Sequence, residues 1–385
     1  MRVGLMQESE FAHPSGRFEK NHEGAVTFVP EFLPPDISYA PIAGLSAEAH
    51  MRLGILEGVG KLIPNPNLLI VQYITHEAVS SSKIEGTEAS NLDVYQFEAG
   101  GVDPNGPKRV LEVVNYSRAL HSCLEMVNEG KRVDLKMLRH AHKTLLKGVR
   151  GQNIEIGRIR AVQNWIGYAN CNIENATYVP PAAHLLDGLL ENLEKFVVEP
   201  PTAMPVLVRC ALAHYQFEAI HPFEDGNGRV GRLMIPLILA SSGVLGRPLL
   251  YLSAYFERNR TEYYELLRGV SKDGKWMEWI IFFLTGVIQC SQEAIAVTHK
   301  LLDLRSKYEQ KLKENRASGN AIILAMRLFS KPVITIPMAA KYLNTGYPPA
   351  KKAVMYLVSA GILEQIDTRK RNKKYIAREI VDIFS

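Results

Sequence analysis

The chain has 385 residues, of which 46% are hydrophobic and 22% charged, and its formal net charge at pH 7 is +5. This composition is ordinary for a soluble globular protein, and the length allows two to three domains with an ample core. We find no internal repeat, no apolar run of membrane-spanning length and no cleavable signal pattern, so we expect no membrane partner. The scattered cysteines show neither metal-ligand nor disulfide spacing, which indicates a reducing cytoplasm: Cys123, Cys171, Cys210 and Cys290.

A helix is predicted over residues 75–84, and residues 81–86 at its C-terminal end read SSKIEG. Gly86 is suited to end this helix because glycine readily adopts the left-handed backbone conformation. Ser81 and Glu85 are four residues apart, so they lie on the same side of the helix. Taken alone, this spacing is typical of an exposed helix face.

A second helix is predicted from Met204 to Ile220, with Pro205 suited to its first turn. His221 precedes Pro222, and the residue before a proline disfavours the α-helical conformation. We therefore expect the helix to end near Ile220 and His221 to lie at the rim of a loop. Five residues on one side of this helix recur at three- and four-residue spacing, which is typical of a buried face: Leu207, Cys210, Ala211, His214 and Phe217.

Residues 221–232 read HPFEDGNGRVGR and combine an imidazole, a carboxylate, a glycine-rich turn and two arginines. Gly226, Asn227 and Gly228 tolerate positive φ, and such a run can point successive backbone N–H groups at one anion. A helix predicted to begin at about Arg229 adds its N-terminal dipole to that anion site. The backbone N–H groups and the helix dipole of this stretch are therefore suited to bind the phosphates of a nucleotide.

Charged side chains of the same stretch support a polyphosphate ligand. Arg229 and Arg232 are three residues apart and share a helix face, where two guanidinium groups suit a polyphosphate better than a single carboxylate. Asp225 would repel a phosphate unless a cation lies between them, and Mg²⁺ is suited to this because it uses few protein ligands. Each feature alone has an ordinary explanation as a loop residue, a turn or a solvated face. Their coincidence within one short stretch favours a nucleotide site.

The stretch is similar to the signature of the Fic (filamentation induced by cAMP) family, His-Pro-Phe-x-Asp/Glu-Gly-Asn-Gly-Arg-x-x-Arg, and every specified position is matched. The resemblance covers most of residues 28–290. It implies a mainly α fold: a Fic-type helical bundle with a small β-hairpin flap, to which we add a C-terminal winged helix. It also implies a protein adenylyltransferase, which transfers AMP from ATP to a Ser, Thr or Tyr hydroxyl of a target protein and releases pyrophosphate.

The resemblance implies roles for individual residues. His221 is the implied general base, which takes the proton from the target hydroxyl, and Asp225 is the implied Mg²⁺ ligand. Arg229 and Arg232 are implied to steady the leaving pyrophosphate, with Arg232 reaching the γ-phosphate. The nucleotide-binding residues that follow are Glu85, His221, Gly226, Asn227, Gly228, Arg229, Val230, Gly231, Arg232, Asn259 and Tyr263.

The pattern formed by Ser81, Glu85 and Gly86 resembles the family's inhibitory motif, Ser/Thr-x-x-x-Glu-Gly/Asn. The resemblance implies that Glu85 pairs with Arg232 and denies it to the γ-phosphate, so the enzyme is autoinhibited. Two alternatives stay open. Some family members remove AMP, with this Glu positioning a water, and a nucleotide-sensing DNA-binding regulator would use the pocket without catalysis.

Two further stretches resemble the family more loosely. Gln163 to Tyr178 resembles the flap, a β-hairpin on which the target protein docks by strand addition; the alternative is an ordinary surface hairpin. Residues 251–267 resemble the stretch that lines the adenosine pocket and include Asn259, Tyr263 and Tyr264. The alternative for these aromatic residues is a place in the core.

The C-terminal region carries the excess of positive charge. Residues 316–385 contain 12 Lys and Arg but 4 Asp and Glu, a net charge of +8, so residues 1–315 carry −3. A winged helix is predicted, with Lys351 and Lys352 on its recognition helix and a basic wing. Such groups can neutralise DNA phosphates, and the alternative is a protein-binding or dimer-packing winged helix. The predicted elements are helix 320–329, strand 333–336, helices 338–343 and 349–360, and strands 362–366 and 374–376 with their tip at 368–372.

These patterns divide the chain into four predicted parts. Residues 1–110 form an N-terminal helical region that carries the inhibitory motif, and residues 111–295 form the Fic catalytic core. Residues 296–315 form a linker helix, and residues 316–385 form the winged helix. The resemblance also implies a homodimer, whereas the sequence leaves open the target protein, the type of residue modified and the direction of AMP transfer.

Overall fold

The computed structural model describes residues 14–22, 24–61, 66–100, 108–149, 155–167, 171–366 and 372–384. An antiparallel pair, β1 (Gly16–Lys20) and β2 (Val26–Pro30), comes first. Five helices follow: α1 (Ala43–Lys61), α2 (Pro66–Ile84), α3 (Asn91–Ala99), α4 (Lys108–Asn128) and α5 (Leu135–Leu145). The central part contains α6 (Leu186–Val198), α7 (Val206–Ile220), α8 (Asn227–Ser241), α9 (Ser253–Arg258), α10 (Arg260–Asp273) and α11 (Trp276–Glu314). The prediction of a mainly α protein is confirmed.

The central helices α7 and α8 lie in the middle of the core, and most of their side chains are buried. α7 packs against α6, α8 and α11, whereas α8 also contacts α4 and α5. α7 begins at Val206, two residues after the predicted start, because Pro205 occupies the N-cap position. α8 begins at Asn227 rather than at Arg229, because Gly226 adopts φ +81° and the chain turns into the helix directly after it. The loop between these two helices is therefore held by core on both sides.

α2 is longer than the predicted helix and lies against the core along its length. It contacts α4 and α9, and it carries a buried carboxyl, Glu77. Glu77 accepts hydrogen bonds from the Tyr116 hydroxyl and from the backbone N–H and hydroxyl of Ser253. Burial raises the pKa of Glu77 despite these bonds. Glu77 therefore joins α2 to α4 and to the first residue of α9.

α11 is one continuous helix from Trp276 to Glu314. The predicted linker helix, 296–315, is the second half of α11 rather than a separate element, so the predicted limit at residue 295 falls inside a helix. α11 also contains an 18-residue stretch with a mean hydropathy of 1.6, long and apolar enough to cross a membrane by length and composition alone. The prediction that no apolar run reaches this length is therefore wrong. Half of that stretch is buried inside the protein, and α11 packs along α1.

The C-terminal part follows the order of elements expected from the sequence. It contains α12 (Gly319–Arg327), β3 (Val333–Thr335), α13 (Ile336–Tyr342), α14 (Tyr347–Ser359), β4 (Glu364–Gln365), β5 (Lys374–Ile376) and α15 (Arg378–Asp382). Its three strands form an antiparallel sheet in the order β3-β5-β4. Most of the expected tip, 368–372, lies outside the described residues. The winged-helix assignment, and with it the division into domains, stays a prediction.

The C-terminal part packs directly on α2 and α3. The amide of Gln72 on α2 donates to the carbonyl of Phe329, and the ring of Tyr73 packs edge-on against Phe384 at 5.3 Å. At the other end, Lys374 Nζ lies 2.7 Å from the carbonyl oxygen of Gln96, near the C-terminus of α3. A small apolar cluster fills the contact between α3 and the sheet: Tyr95, Ala99, Val333, Ile376 and Val381.

Candidate active site

His221 lies where the sequence predicts, at the residue that follows α7. Its backbone adopts a left-handed conformation with φ +50° rather than the extended one typical before proline. A non-glycine residue in this conformation carries strain of about 1–2 kcal/mol. Its carbonyl oxygen accepts hydrogen bonds from Arg160 Nε at 2.9 Å and Asn164 Nδ2 at 3.3 Å. These two side chains fix the orientation of the histidine.

The imidazole of His221 is set up as a neutral base. The ring is partly exposed, and Nδ1 lies 3.3 Å from the carbonyl oxygen of Glu218. Nδ1 therefore carries the proton and donates it to that carbonyl, which leaves Nε2 as the acceptor. Burial lowers the pKa of His221 from 6.5 to about 4, and the positive charge of Arg160 acts in the same direction. The ring is thus uncharged at neutral pH and ready to accept a proton.

The loop before α8 leads into the N-terminus of a buried helix, where the sequence predicts an anion site. Gly226 requires its positive φ, and a Cβ at Gly228 would overlap Glu85 Oε1. A Cβ at Gly231 would overlap Glu218 Oε1. Glycine is therefore favoured at Gly226 by its backbone conformation, whereas at Gly228 and Gly231 a Cβ would displace the carboxylate of Glu85 or Glu218.

Two residues assigned to nucleotide binding serve the loop itself. The side chain of Asn227 accepts from the N–H of Phe223 at 2.8 Å and donates to its carbonyl at 2.7 Å. Val230 is buried, and its N–H donates to the carbonyl of Gly226 at 3.1 Å. The Asn227 side chain and the Val230 backbone N–H therefore hold the loop against the first turn of α8.

The two arginines of the stretch are buried, each with 1% side-chain exposure, and each has carboxylate neighbours. Arg229 Nη1 lies 3.5 Å from Glu112 Oε2 on α4, and Arg229 Nη2 lies 3.8 Å from Asp225 Oδ1. Arg232 Nη2 lies 2.6 Å from Glu85 Oε1. Because a buried guanidinium needs an anionic partner, both arginines are bound to carboxylates in this state.

The segment that resembles the inhibitory motif contacts Arg232. Arg232 Nε donates to the Ser81 hydroxyl at 2.9 Å, and Nη2 donates to the Ser81 carbonyl at 3.0 Å as well as to Glu85. Gly86 has φ +85° and ends α2, with its N–H bonded to the carbonyl of Lys83. Burial opposes ionisation of Glu85, but the Arg232 charge outweighs it and lowers the pKa of Glu85. A charged ion pair therefore joins α2 to α8.

Asp225 fits a single-carboxylate magnesium site. Its side chain is 29% exposed at the mouth of the loop, and Oδ1 accepts the N–H of Gly226 at 2.7 Å. Within the described ranges, no group of three or more His, Cys, Asp or Glu side chains is placed to hold a metal. One carboxylate is sufficient for Mg²⁺ when phosphates and water supply the remaining ligands.

Residues assigned to the adenosine pocket lie deeper than expected. Tyr263 is buried, stacks on Phe256 with ring centroids 4.7 Å apart, and its hydroxyl is 2.8 Å from His214 Nε2. The Asn259 amide donates to the carbonyl of Tyr255, so it stabilises the junction of α9 and α10. Tyr264, which lies in the same stretch, is 42% exposed. Burial and the negative charge of Glu85 raise the pKa of Tyr264 to about 12.

Three supporting residues were not selected from the sequence. Arg160 is buried and donates to the carbonyls of Val162 and Pro181 as well as to His221. His142 stacks on Phe223 with ring centroids 3.9 Å apart. Burial raises the pKa of Glu218 to about 8, although the positive charge of Arg232 acts in the opposite direction. Glu218 lies within the helix predicted from Met204 to Ile220, and Arg160 lies just before the predicted flap, but neither was assigned to the site.

The flap is short in the described residues. One antiparallel bridge joins Ile166 to Tyr178, in place of a regular hairpin, and residues 168–170 lie outside the described ranges. Val162, Trp165 and Ile166 are exposed. The bridge lies next to the loop because Tyr178 donates its hydroxyl to the carbonyl of Ala219.

Comparison with known families agrees with this geometry. Residues 44–125 match the family model described as Fic/DOC family N-terminal, and residues 132–239 match the model described as Fic/DOC family. The second match contains the whole loop between α7 and α8, and the first contains the inhibitory motif. Residues 44–125 and 132–239 are therefore Fic/DOC family regions.

Curated relatives are similar over parts of their length. The chain is 31% identical over 134 residues to "Protein adenylyltransferase fic-1" of Caenorhabditis briggsae, which covers 34% of this chain and 24% of that protein. It is 26% identical over 204 residues to "Probable protein adenylyltransferase aq_aa38" of Aquifex aeolicus, which covers 51% of this chain and 55% of that protein. The chain thus spans about a quarter and about half of these relatives.

Solved structures share the fold. A Fic family protein from Desulfovibrio desulfuricans G20 superposes with a TM-score of 0.56 at 20% identity, covering 90% of this chain and 98% of that one. A Fic domain containing signaling protein from Bacteroides thetaiotaomicron superposes with a TM-score of 0.51 at 16% identity, covering 66% and 96%. The predicted Fic-type helical bundle is confirmed.

Proposed function

We propose that this protein is an autoinhibited protein adenylyltransferase, which transfers AMP from ATP to a Ser, Thr or Tyr hydroxyl of a target protein and releases pyrophosphate. One observation carries the proposal. A neutral histidine with a free acceptor direction at Nε2 shares the N-terminal end of α8 with two buried arginines. The curated relatives described as protein adenylyltransferases support the same activity.

In this mechanism His221 Nε2 takes the proton of the target hydroxyl. The oxygen of that hydroxyl attacks the α-phosphorus of ATP. The bond between that phosphorus and the bridging oxygen of the β-phosphate breaks, and pyrophosphate leaves with the bonding electrons. Arg229 and Arg232 stabilise the charge that gathers on the leaving group. Asp225 would hold Mg²⁺, which when bound neutralises phosphate charge. Because each group is already oriented by the fold, little reorganisation is needed during the transfer.

Autoinhibition follows from the partner of Arg232. Glu85 accepts a hydrogen bond from the Arg232 guanidinium group, which would otherwise bind the γ-phosphate. ATP that binds in this state lacks one of its two cationic contacts and adopts a pose unsuited to in-line attack. Withdrawal of Glu85 frees Arg232 and restores that contact.

The target protein is proposed to dock along the flap, from Gln163 to Tyr178. The exposed apolar side chains of Val162, Trp165 and Ile166 support this, since an added strand needs side-chain contacts as well as backbone hydrogen bonds. The bridge between Ile166 and Tyr178 lies near His221 through the contact of Tyr178 with Ala219. A hydroxyl presented there is delivered to the base.

The proposed activity is tested by intact mass of the Glu85→Gly protein after incubation with ATP and Mg²⁺. Addition of one or more AMP units to the protein itself or to an added candidate target supports transfer. Release of AMP from an adenylylated target by the parent protein, which keeps Glu85, would show removal instead. Retention of ATP without either reaction would favour a nucleotide sensor.

The pH dependence of transfer reports on His221. The base works only when neutral, and because burial lowers its pKa to about 4, the rate of Glu85→Gly is expected to stay level from pH 8 to about pH 5 and to fall below that. The measurement is kcat/KM against pH, with circular dichroism to confirm that the protein stays folded. An acid limb centred near 6.5, the ordinary histidine value, would contradict this environment for the ring.

A further inference from the structure

Glu112 lies on the first turns of α4 and points at the active-site loop. Its side chain is 12% exposed, and its Oε2 atom faces Arg229 Nη1 at 3.5 Å. α4 packs against α8, so the backbone that carries Glu112 is fixed relative to the arginine. Neither the signature nor the inhibitory motif includes this residue.

Arg229 needs a lasting anionic partner. Its side chain is 1% exposed, and a buried guanidinium without a counter-ion is strongly destabilised. Asp225 is the other carboxylate within 4 Å, but Asp225 is also the residue that fits Mg²⁺. When Asp225 serves a metal, Glu112 is the carboxylate that continues to hold Arg229. The buried Nε of Arg229 makes no hydrogen bond within the protein, so its guanidinium is held mainly through this edge.

The same oxygen of Glu112 also holds the inhibitory segment. The Thr87 hydroxyl donates to Glu112 Oε2 at 2.8 Å. The Thr87 N–H donates to the carbonyl of Ser82, so this hydroxyl is fixed to the end of α2, two residues after Glu85. One carboxylate oxygen therefore joins the segment that carries Glu85 to the first signature arginine.

We propose that Glu112 is a positioning residue for Arg229, and that Thr87 makes this pairing respond to the inhibitory segment; the inference rests on the proposed adenylyl transfer. The segment then restrains both arginines: Glu85 binds Arg232 directly, and Thr87 reaches Arg229 through Glu112. When the segment withdraws, Glu112 is left to orient Arg229 alone for the departing pyrophosphate. Glu112 acts on the arginine and does not touch the nucleotide.

The test compares Glu112→Gln with a matched control, Glu125→Gln, both in the Glu85→Gly background. Glu125 lies on the same helix with an exposed side chain paired to His121. Glu112→Gln keeps size and the oxygen for Thr87 but removes the charge that orients Arg229. We expect kcat to fall about 10- to 100-fold while the KM for ATP changes less than about threefold, because orientation matters most in the transition state. The control is expected to match its parent.

Each outcome decides a separate claim. If the Glu85→Gly parent itself fails to incorporate AMP, the proposed function is wrong. If the parent is active and Glu112→Gln matches it in kcat, the positioning role is overturned. If Glu112→Gln unfolds at a lower temperature than the control, Glu112→Asp decides: recovery of kcat with the charge supports positioning, and an equal loss of kcat overturns it.

Thr87→Val tests the coupling, because valine keeps the shape and removes the hydroxyl. With Glu85 intact, loss of one hydrogen bond from the inhibitory segment is expected to raise the basal rate about fivefold. In the Glu85→Gly background the same change is expected to have less than about a twofold effect. An unchanged basal rate with Glu85 intact would overturn the link through Thr87.

Discussion

Replacing Glu85 by glycine is expected to raise the rate of AMP incorporation about 10- to 100-fold. Glu85 is the carboxylate bound to Arg232 at 2.6 Å, and its removal frees a buried guanidinium for the γ-phosphate. Breaking a fully buried pair costs about 3–5 kcal/mol, but the Glu85 side chain is 33% exposed and solvent screens part of the interaction. We therefore expect an effect of about 1.4–2.8 kcal/mol on the barrier.

The measurement is initial rate with labelled ATP, comparing the parent, Glu85→Gly and Glu88→Gly. Glu88 is exposed in the turn that follows α2, so its replacement controls for added backbone freedom and for a lost negative charge nearby. Activation limited to Glu85→Gly would identify the ion pair as the restraint. Equal rates in the parent and Glu85→Gly would remove the autoinhibition proposal.

Replacing His221 by alanine is expected to lower transfer by the Glu85→Gly protein about 10²- to 10⁴-fold, the usual loss when a general base is removed. The arginines and the glycine-rich loop stay in place, so ATP binding measured by calorimetry is expected to persist. A loss of rate together with retained binding separates chemistry from nucleotide capture.

Because the backbone of His221 is left-handed, a second variant is needed to separate loss of the base from backbone strain. Alanine tolerates φ +50° poorly, whereas asparagine adopts it more readily. His221→Asn is therefore expected to keep the fold and to be as inactive as His221→Ala. A control, His121→Ala on the exposed face of α4, is expected to keep the parent rate. Transfer that survives in His221→Asn would exclude the imidazole as the base.

The local features of the site could be predicted from the sequence. His221 ends α7 because Pro222 follows, and Gly226 turns the chain into α8 because glycine accepts positive φ. The pair between Arg232 and Glu85, 147 residues apart, was accessible only through resemblance to a family motif. Spacing along the chain carries no information about a contact of that separation.

The residues that position His221 could not be predicted from the sequence for a related reason. The Arg160 and Asn164 groups that hold the His221 carbonyl come from 61 and 57 residues upstream, and each looks like an ordinary polar residue in a loop. Asn227 was assigned to phosphate, but its amide closes the loop on Phe223, a choice that depends on three-dimensional distance. Tyr263 and Tyr264 are adjacent in the sequence, and only the packing of the helices shows that the first is buried and the second exposed.

Anchoring of α2 and α3 by the C-terminal part limits how the inhibitory glutamate can leave. Gln72 and Tyr73, in the first half of α2, contact Phe329 and Phe384 of the C-terminal part. Lys374 holds the C-terminal end of α3. These contacts lie on both sides of Glu85 in the sequence, so an outward swing of α2 and α3 requires them to break. Release of Glu85 therefore requires either rotation of its side chain with unwinding of the last turn of α2, or detachment of the whole C-terminal part. Whatever triggers the first route needs to act within a few ångströms of Gly86, whereas a trigger for the second could act at a distant surface.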